Sequence, residues 1–241
     1  DAFLFVLGDH GHRFDSIRRT TVGRIEERFP FFSMHIPRNL QRKFPRLNRI
    51  VNENTQVLTS FWDFYATMQD IRQLSSSNKW KLFDSDAVAT YSNSDFTKGL
   101  SLLRPIKDRN CKEAGIPKEL CTCRDEITVD INEAIIWQLS NEIILHLNNL
   151  LKSSRHCAKL TLARILHATV IDNDDEVGPV EVHYRITIEA RPSGGLFEAL
   201  LKHDRVHNTS IVYRNVNRVN AYGNQSLCVH EQELRKVCYC N

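Results

Sequence analysis

The chain has 241 residues, of which 41% are hydrophobic and 25% are charged, so it can bury a core and does not have the composition of a disordered segment. Its 32 Lys and Arg against 29 Asp and Glu leave a net charge of +3, which does not indicate a nucleic-acid-binding protein. No uncharged apolar run approaches the roughly 20 residues of a membrane-spanning helix. We therefore expect a membrane attachment only through a segment upstream of this chain.

The first half of the chain shows the pattern of an α/β region. An apolar run without alternation at residues 3–7 predicts a β-strand that is buried on both faces of a parallel sheet. Asp9, His10 and Gly11 follow it as a tight turn. Residues 31–36 predict the next strand, and residues 61–71 carry apolar side chains at helical spacing, which predicts a helix.

The second half predicts a helix packed on an antiparallel sheet. Asp130 and Glu133 resemble a capping box at the start of a long helix, with Leu139, Ile143 and Leu147 on its apolar face. Strict alternation predicts a half-exposed strand over residues 180–189. We expect this strand to pair with residues 159–171 across an acidic loop at 173–175. Residues 196–202 and 210–216 predict two further strands.

Cysteine usage indicates an oxidising compartment. Two Cys-x-Cys pairs and two glycosylation sequons, at Asn208 and Asn224, favour disulfides and an extracellular or secretory-pathway location. The alternative is a tetrahedral zinc site, but structural zinc sites usually space paired ligands by two or more residues. The odd number of cysteines leaves a free thiol or a bond to another chain. The seven disulfide candidates are Cys111, Cys121, Cys123, Cys157, Cys228, Cys238 and Cys240, and the zinc alternative would use Cys121, Cys123, Cys238 and Cys240.

Asp9 and His10 are the candidate metal ligands. They follow the first predicted strand, and sites in open α/β sheets form at the carboxyl ends of strands. A carboxylate next to an imidazole can give two ligands to one divalent cation, and Gly11 permits a sharp turn beneath them. A purely structural turn is the alternative.

A basic stretch follows this turn. Residues 12–52 contain ten Arg or Lys against three Asp or Glu, a local charge of +7. Guanidinium groups bind tetrahedral oxyanions through paired hydrogen bonds, so the stretch is either part of a phosphate or sulfate site or a solvated basic face. Arg13 and Arg19, nearest the turn, are the candidate substrate-binding residues.

Several segments resemble the sulfatase branch of the alkaline phosphatase superfamily. Residues 4–11, Leu-Phe-Val-Leu-Gly-Asp-His-Gly, are similar to its metal-binding strand and turn, which carries Ser-Asp-His-Gly or Ser-Asp-Asn-Gly. Residues 23–32, 61–71 and 98–103 resemble three further sulfatase segments in the same order.

A narrower resemblance covers nearly the whole chain. Residues 19–32, the cysteine cluster at 111–123 and the ending at 222–240 resemble the sulfatase-like domain-of-unknown-function family two-two-nine. The resemblance implies a secreted protein or the ectodomain of a type II membrane protein. It implies the C-terminal part of an alkaline-phosphatase/sulfatase-like α/β core at residues 1–105. A smaller disulfide-rich α+β subdomain with an antiparallel sheet would follow at 106–241.

The resemblance also implies a chemistry. Asp9 and His10 would bind a divalent cation, with calcium or magnesium suited to an oxygen-rich site and zinc or manganese favoured by the histidine. The protein would be a metal-dependent hydrolase of sulfate or phosphate esters, whose substrate is an anionic ester such as a sulfated or phosphorylated glycan. The alternatives are a two-metal phosphodiesterase or phosphoethanolamine transferase, and a non-catalytic extracellular glycan-binding pseudoenzyme.

The nucleophile of that superfamily lies upstream of the metal-binding turn, together with the first metal-binding aspartates. No Cys-x-Pro-x-Arg motif, the source of the sulfatase formylglycine, occurs in this sequence. We therefore expect the chain to be a C-terminal fragment that is inactive by itself.

Overall fold

The computed structural model describes residues 2–13, 16–85, 98–171 and 180–241. It confirms a mixed α/β fold with antiparallel sheets. In chain order its elements are β1 (Leu4–Leu7), α1 (Thr21–Arg28), β2 (Phe32–His35), α2 (Arg38–Lys43), α3 (Pro45–Asn54), α4 (Phe61–Ser76), β3 (Glu126–Thr128), α5 (Ala134–Leu151), β4 (Thr161–Ile171), β5 (Glu181–Arg191), β6 (Gly195–Asp204), β7 (Thr209–Val212), β8 (Asn217–Arg218) and α6 (Gln232–Arg235). Short 3-10 helices lie at Ser16–Arg19, Lys79–Asp84 and Lys118–Leu120.

The chain forms two compact units. The first unit consists of Asp1–Asp9 and Pro30–Cys123, and the second of His10–Phe29 and Arg124–Asn241. The division into domains at 1–105 and 106–241 stays a prediction. The structure assigns α1, from the first part of the sequence, to the same unit as the large C-terminal sheet.

The first strand differs from its prediction. β1 pairs with β2 in an antiparallel ladder, with Leu4 opposite His35 and Leu7 opposite Phe32. Its Phe5 side packs on aromatic side chains of β2 and α4, whereas Leu4 and Val6 are 59% and 51% exposed. The prediction of a parallel strand buried on both faces is therefore wrong for the described residues. The apolar run forms a strand as expected, but it packs through one face only.

The helices of the first unit enclose a small core. α2, α3 and α4 pack with the 3-10 helix at Lys79–Asp84 around Phe44, Leu47, Leu74, Phe83 and Leu103, all buried. The predicted helix at 61–71 is confirmed as α4, which begins after Ser60.

The second unit is a sheet covered by a helix. Its strands follow the order β3-β4-β5-β6-β7, all antiparallel, and β8 also pairs with β6. α5 packs its apolar face on this sheet through Leu139, Ile143 and Leu147, each fully buried. Burying such a side chain contributes about 1.5–3 kcal/mol. The predicted helix, its apolar face and the pairing of β4 with β5 are confirmed, and the predicted loop at 173–175 lies outside the described residues.

Two local expectations in this unit are corrected. α5 begins at Ala134, and Asp130 accepts a hydrogen bond from the N–H of Asn132 at 2.9 Å instead of capping the helix. β5 is not half exposed, because its polar side chains at His183 and Arg185 are 2% and 3% exposed. Polar partners cover that side of the strand. Alternation therefore identified the strand correctly but wrongly predicted that its polar side is exposed to solvent.

Disulfides bind six of the seven cysteines. Cys111 pairs with Cys121 in the first unit, and in the second unit Cys157 pairs with Cys238 and Cys228 with Cys240. The four-cysteine zinc alternative is therefore wrong, since three of its four cysteines lie in disulfides. Cys123 is a free, exposed thiol. None of the helices in the described ranges combines the length and apolar composition needed to cross a bilayer.

Candidate functional site

The turn after β1 is held by backbone hydrogen bonds at each side. In the first unit, the N–H of Gly8 donates to the carbonyl oxygen of Phe31 at 3.0 Å. In the second, the N–H of Gly11 donates to the carbonyl oxygen of Glu27 at 2.8 Å. The boundary between the units passes between the two candidate ligands, and each of them is exposed.

A backbone carbonyl orients the ring of His10. Its Nδ1 lies 2.6 Å from the carbonyl oxygen of Gly11, and a carbonyl oxygen only accepts, so Nδ1 is the donor in this contact. Histidines that bind metals commonly donate their other ring N–H to a carbonyl in this way. A side chain at Gly11 would overlap the carbonyl oxygen of Glu26, so the backbone at this turn requires glycine.

The donor set fits a divalent cation only in part. A carboxylate at Asp9 and an imidazole at His10 supply two ligands, whereas zinc takes four and calcium six to eight. Among the described residues, the groups of three or more His, Cys, Asp or Glu atoms close enough to share an ion are two cysteine groups. Neither group contains these two residues.

The two candidate substrate-binding arginines stay predictions. Arg13 is exposed, on a segment without regular secondary structure that follows the turn. Arg19 ends the 3-10 helix Ser16–Arg19, and its side chain lies outside the described structure.

A buried ion-pair cluster in the second unit is the main feature that sequence analysis missed. Its centre is Glu198 on β6, which is 2% exposed. Arg18 donates one hydrogen bond to each carboxylate oxygen at 3.1 Å, Arg28 contacts the same carboxylate, and Arg185 lies 3.5 Å away. Burial alone would raise the pKa of Glu198, but the three guanidinium charges outweigh it and lower the pKa to about 2.

Glu126 on β3 forms the second part of this cluster. It accepts a hydrogen bond from Nε of Arg185 at 2.7 Å and one from the hydroxyl of Thr169 at 3.1 Å, and Arg24 lies 3.4 Å away. Burial opposes ionisation, but the charge of Arg185 prevails and lowers the pKa of Glu126. Glu27 completes the cluster through an ion pair with Arg18 at 2.7 Å. Four guanidinium groups thus meet three carboxylates.

The sequence predicted that the basic stretch is either an oxyanion-binding site or a solvated basic face. These contacts show that neither interpretation holds for three of its arginines. Arg18, Arg24 and Arg28 are neither a solvated face nor available to a substrate, because they are paired with glutamates inside the second unit. α1 presents its charged face to these partners, while Val22 and Ile25 are exposed. The sequence carried one signal of this arrangement. Glu198 is a single charged residue in an otherwise apolar stretch of β6, a position that requires a charged partner.

The first unit contains a different buried polar network, centred on α4. Asp63 is fully buried and accepts hydrogen bonds from the N–H of Ser60 at 2.6 Å and of Leu100 at 2.7 Å. One turn later, Thr67 accepts from the N–H of Leu102 at 2.8 Å. The network attaches the segment at residues 98–103 to the helix. Gly99, with a φ of +79°, also approaches the helix too closely to permit a side chain.

Two arginines continue this network. Arg104 donates two hydrogen bonds of 2.8 Å to the carboxylate of Asp70, and Arg109 contacts Asp63. The side chain of Asn54 donates to the carbonyl oxygens of Leu102 and Arg104 at 2.9 and 2.7 Å. Two of the segments that carried the sulfatase resemblance, 61–71 and 98–103, are therefore in direct contact.

The fold and its sites define a mixed α/β protein with a disulfide-bonded antiparallel sheet. A family model described as "Protein of unknown function (DUF229)" matches residues 1–166, more than half of the chain. The chain therefore belongs to this family, which confirms the narrower resemblance, to the domain-of-unknown-function family two-two-nine. A search of curated proteins gives no match.

Proposed function

We propose that this chain is part of a metal-dependent hydrolase of sulfate or phosphate esters, with Asp9 and His10 as ligands of a divalent cation. The observation that carries the proposal is the contact between Nδ1 of His10 and the carbonyl oxygen of Gly11, which orients the ring as metal-binding histidines are commonly oriented. Asp9 supplies a carboxylate oxygen next to it in the chain.

The second support is the agreement between the sulfatase resemblance and the contacts of the first unit. The resemblance identified segments 61–71 and 98–103 from sequence alone. Asp63 and Thr67 of the first segment bind the backbone N–H groups of the second, so the residues that define the pattern also hold the two segments together.

A bound cation would polarise the ester oxygens and lower the pKa of an attacking group. The residues of this chain would hold and surround it. Asp9 and His10 would bind, and Arg13 and Arg19 would neutralise charge on the departing oxyanion. Calcium or magnesium suits the carboxylate, and zinc or manganese suits the imidazole. We propose that the nucleophile belongs to polypeptide N-terminal to these residues.

NMR with manganese tests the ligand assignment. Paramagnetic Mn²⁺ broadens the ring signals of a histidine that binds it, and it reports weak binding to a partial site. We expect substoichiometric Mn²⁺ to broaden the His10 signals, and Asp9→Asn to reduce this effect. Competition with Ca²⁺, Mg²⁺ and Zn²⁺ then ranks the metals.

The chain contains a matched control. The exposed His207 and the half-buried Asp204 form a carboxylate–imidazole pair, with Nδ1 of the ring 2.8 Å from the carboxylate. If Mn²⁺ broadened His207 as strongly as His10, binding would be non-specific and the assignment would fail. Asp204→Asn should leave the broadening of His10 unchanged.

The hydrolase itself is tested on the protein expressed from its complete reading frame. A panel of sulfate monoesters, phosphate monoesters and phosphate diesters should reveal turnover that Asp9→Asn removes, while the 241-residue chain alone turns over none of them. Binding of a sulfated or phosphorylated glycan without turnover of any ester would contradict the hydrolase and favour the binding module.

We also propose that the protein occupies the extracellular space or the secretory pathway. Three disulfides are compatible with such a location. Asn208 and Asn224 are exposed at turns, so both sequons can carry a glycan on the folded surface. Secretion from eukaryotic cells should give a product whose gel mobility increases on enzymatic deglycosylation. The double variant Asn208→Gln and Asn224→Gln should show no such shift, and an unshifted wild-type protein would contradict the glycosylation.

A further inference from the structure

Three sulfur atoms lie close together near the end of the first unit. Cys111 and Cys121 form a disulfide, and the Sγ atoms of Cys111, Cys121 and Cys123 all lie within 4.8 Å of one another. Cys123 is the one cysteine outside a disulfide, and it is exposed. A thiol thus lies within 4.8 Å of both sulfur atoms of a disulfide.

We propose that Cys123 exchanges with the Cys111–Cys121 disulfide, so that the chain interconverts between two disulfide isomers. The Cys123 thiolate forms a bond with Sγ of Cys111 while the bond between Cys111 and Cys121 breaks. Cys121 leaves as a thiolate and takes up the proton that Cys123 released. One disulfide and one thiol are present before and after the step, so it needs no oxidant or reductant.

The size of the loop that the new disulfide closes favours attack on Cys111 over attack on Cys121. Attack on Cys121 would join two cysteines separated by a single residue, which is a poor fit to the spacing that disulfides require. Attack on Cys111 instead enlarges the existing loop, whose ends are separated by 10 residues, by only two residues. Loop-closure entropy changes little over such a step, so it does not oppose formation of the second isomer.

The exchange moves both the free thiol and the point at which the disulfide attaches to the chain. The free thiol moves from the exposed Cys123 to the half-buried Cys121, where it is less accessible to large reagents. Cys123 is also the last residue of the first unit, and Arg124 begins the long segment of the second. In the new isomer, the disulfide anchors the chain directly at that boundary. The length of unanchored chain before Arg124 therefore depends on which isomer is present.

Pulsed alkylation of the folded protein tests this proposal. The protein is incubated at neutral to mildly alkaline pH, labelled briefly with a small maleimide, quenched in acid, digested without reduction and mapped by mass spectrometry. We expect label on Cys123 in some molecules and on Cys121 in others, with a Cys111–Cys123 peptide in the second group. Label on Cys123 alone at every incubation time would overturn the proposal.

Two variants provide a second measurement. Cys121→Ser, produced in an oxidising secretory host, should form the Cys111–Cys123 disulfide and take up no maleimide. Two labels, at Cys111 and Cys123, would contradict the exchange geometry. Cys123→Ser is the control, which should keep the original disulfide and also remain unlabelled. In all three proteins, the bonds Cys157–Cys238 and Cys228–Cys240 should stay intact, which excludes scrambling through unfolding.

Discussion

The two units both bury charged side chains, but the backbone takes a larger part in binding them in the first unit than in the second. In the first unit, Asp63 is bound chiefly by backbone N–H groups, and the neighbouring Thr67 fixes the same loop. In the second unit, Glu198 and Glu126 are bound by guanidinium groups of side chains. The contacts in the first unit fix the path of the backbone at Leu100 and Leu102. The contacts in the second unit join elements that are distant in sequence.

The difference determines what each network is sensitive to. Backbone N–H groups remain whatever the sequence, so the contacts of Asp63 and Thr67 with the N–H groups of Leu100 and Leu102 depend on the acceptors alone. The contacts of Arg104 and Arg109 in the same network depend on side chains. The network of the second unit depends on several long side chains and on their charge state. A buried ion pair adds little compared with a well-packed apolar pair, but loss of one partner leaves a charge without compensation, at a cost of about 3–5 kcal/mol. We therefore expect the second unit to be the more easily disrupted by a single substitution.

The largest effect is expected for Glu198→Gln. This change keeps the shape of the side chain but removes the charge that three arginines share, so the free energy of unfolding of the second unit should fall by about 3–5 kcal/mol. Hydrogen exchange measured by mass spectrometry reads the two units separately, and amides of β5 and β6 should lose protection. Glu189→Gln is the control, because its partner Arg164 is 67% exposed, and it should change stability by less than about 1 kcal/mol.

The second largest effect is expected from acid, which should lower the stability of the second unit. The pKa of Glu198 is lowered from 4.5 to about 2, so its contribution is complete above about pH 4.5 and is lost as the pH falls toward 2. The lowered pKa of Glu126 acts in the same direction. The loss from Glu198 is on the order of 3 kcal/mol. Methyl NMR signals of Ile186 should report this transition, and the Glu198→Gln variant should show a weaker dependence on pH in this range. An unchanged pH dependence would refute the assignment.

A smaller, matched pair of threonine substitutions sharpens the comparison. Thr67→Val removes the acceptor of the buried N–H of Leu102, so the free energy of unfolding of the first unit should fall by about 1–3 kcal/mol. Thr169→Val removes one of the donors to Glu126, but Glu126 still accepts a hydrogen bond from Arg185. We therefore expect the free energy of unfolding of the second unit to fall by about 1 kcal/mol. Denaturant unfolding followed by hydrogen exchange measures both. The comparison fails if Thr169→Val costs more than Thr67→Val.

Sequence patterns predicted those parts of the fold that depend on local periodicity. The apolar spacing of Leu139, Ile143 and Leu147 identified α5, and alternation identified β5 and its pairing with β4. Periodicity does not reveal what covers a polar face, so the burial of His183 and Arg185 was missed. The identity of the partners of α1 depends on contacts between residues 102 and 170 positions apart, which no local pattern encodes.

The candidate site was predicted less completely than the fold. The Asp-His-Gly turn was recognisable because its residues are consecutive, and its position after β1 is confirmed. The orientation of the His10 ring follows from a hydrogen bond to the carbonyl oxygen of Gly11, which depends on the path of the backbone that the sequence does not specify. The role of Arg18, Arg24 and Arg28 was misjudged because the sequence does not reveal which face of α1, or of the 3-10 helix before it, the protein covers.

The bond between Cys157 and Cys238 joins residues 81 positions apart and encloses most of the large sheet in one covalent ring. A protease that cut the exposed hairpin turn between β6 and β7 once would therefore release no fragment. The product would remain a two-chain molecule of unchanged mass, apart from one added water, until a reductant opened the ring.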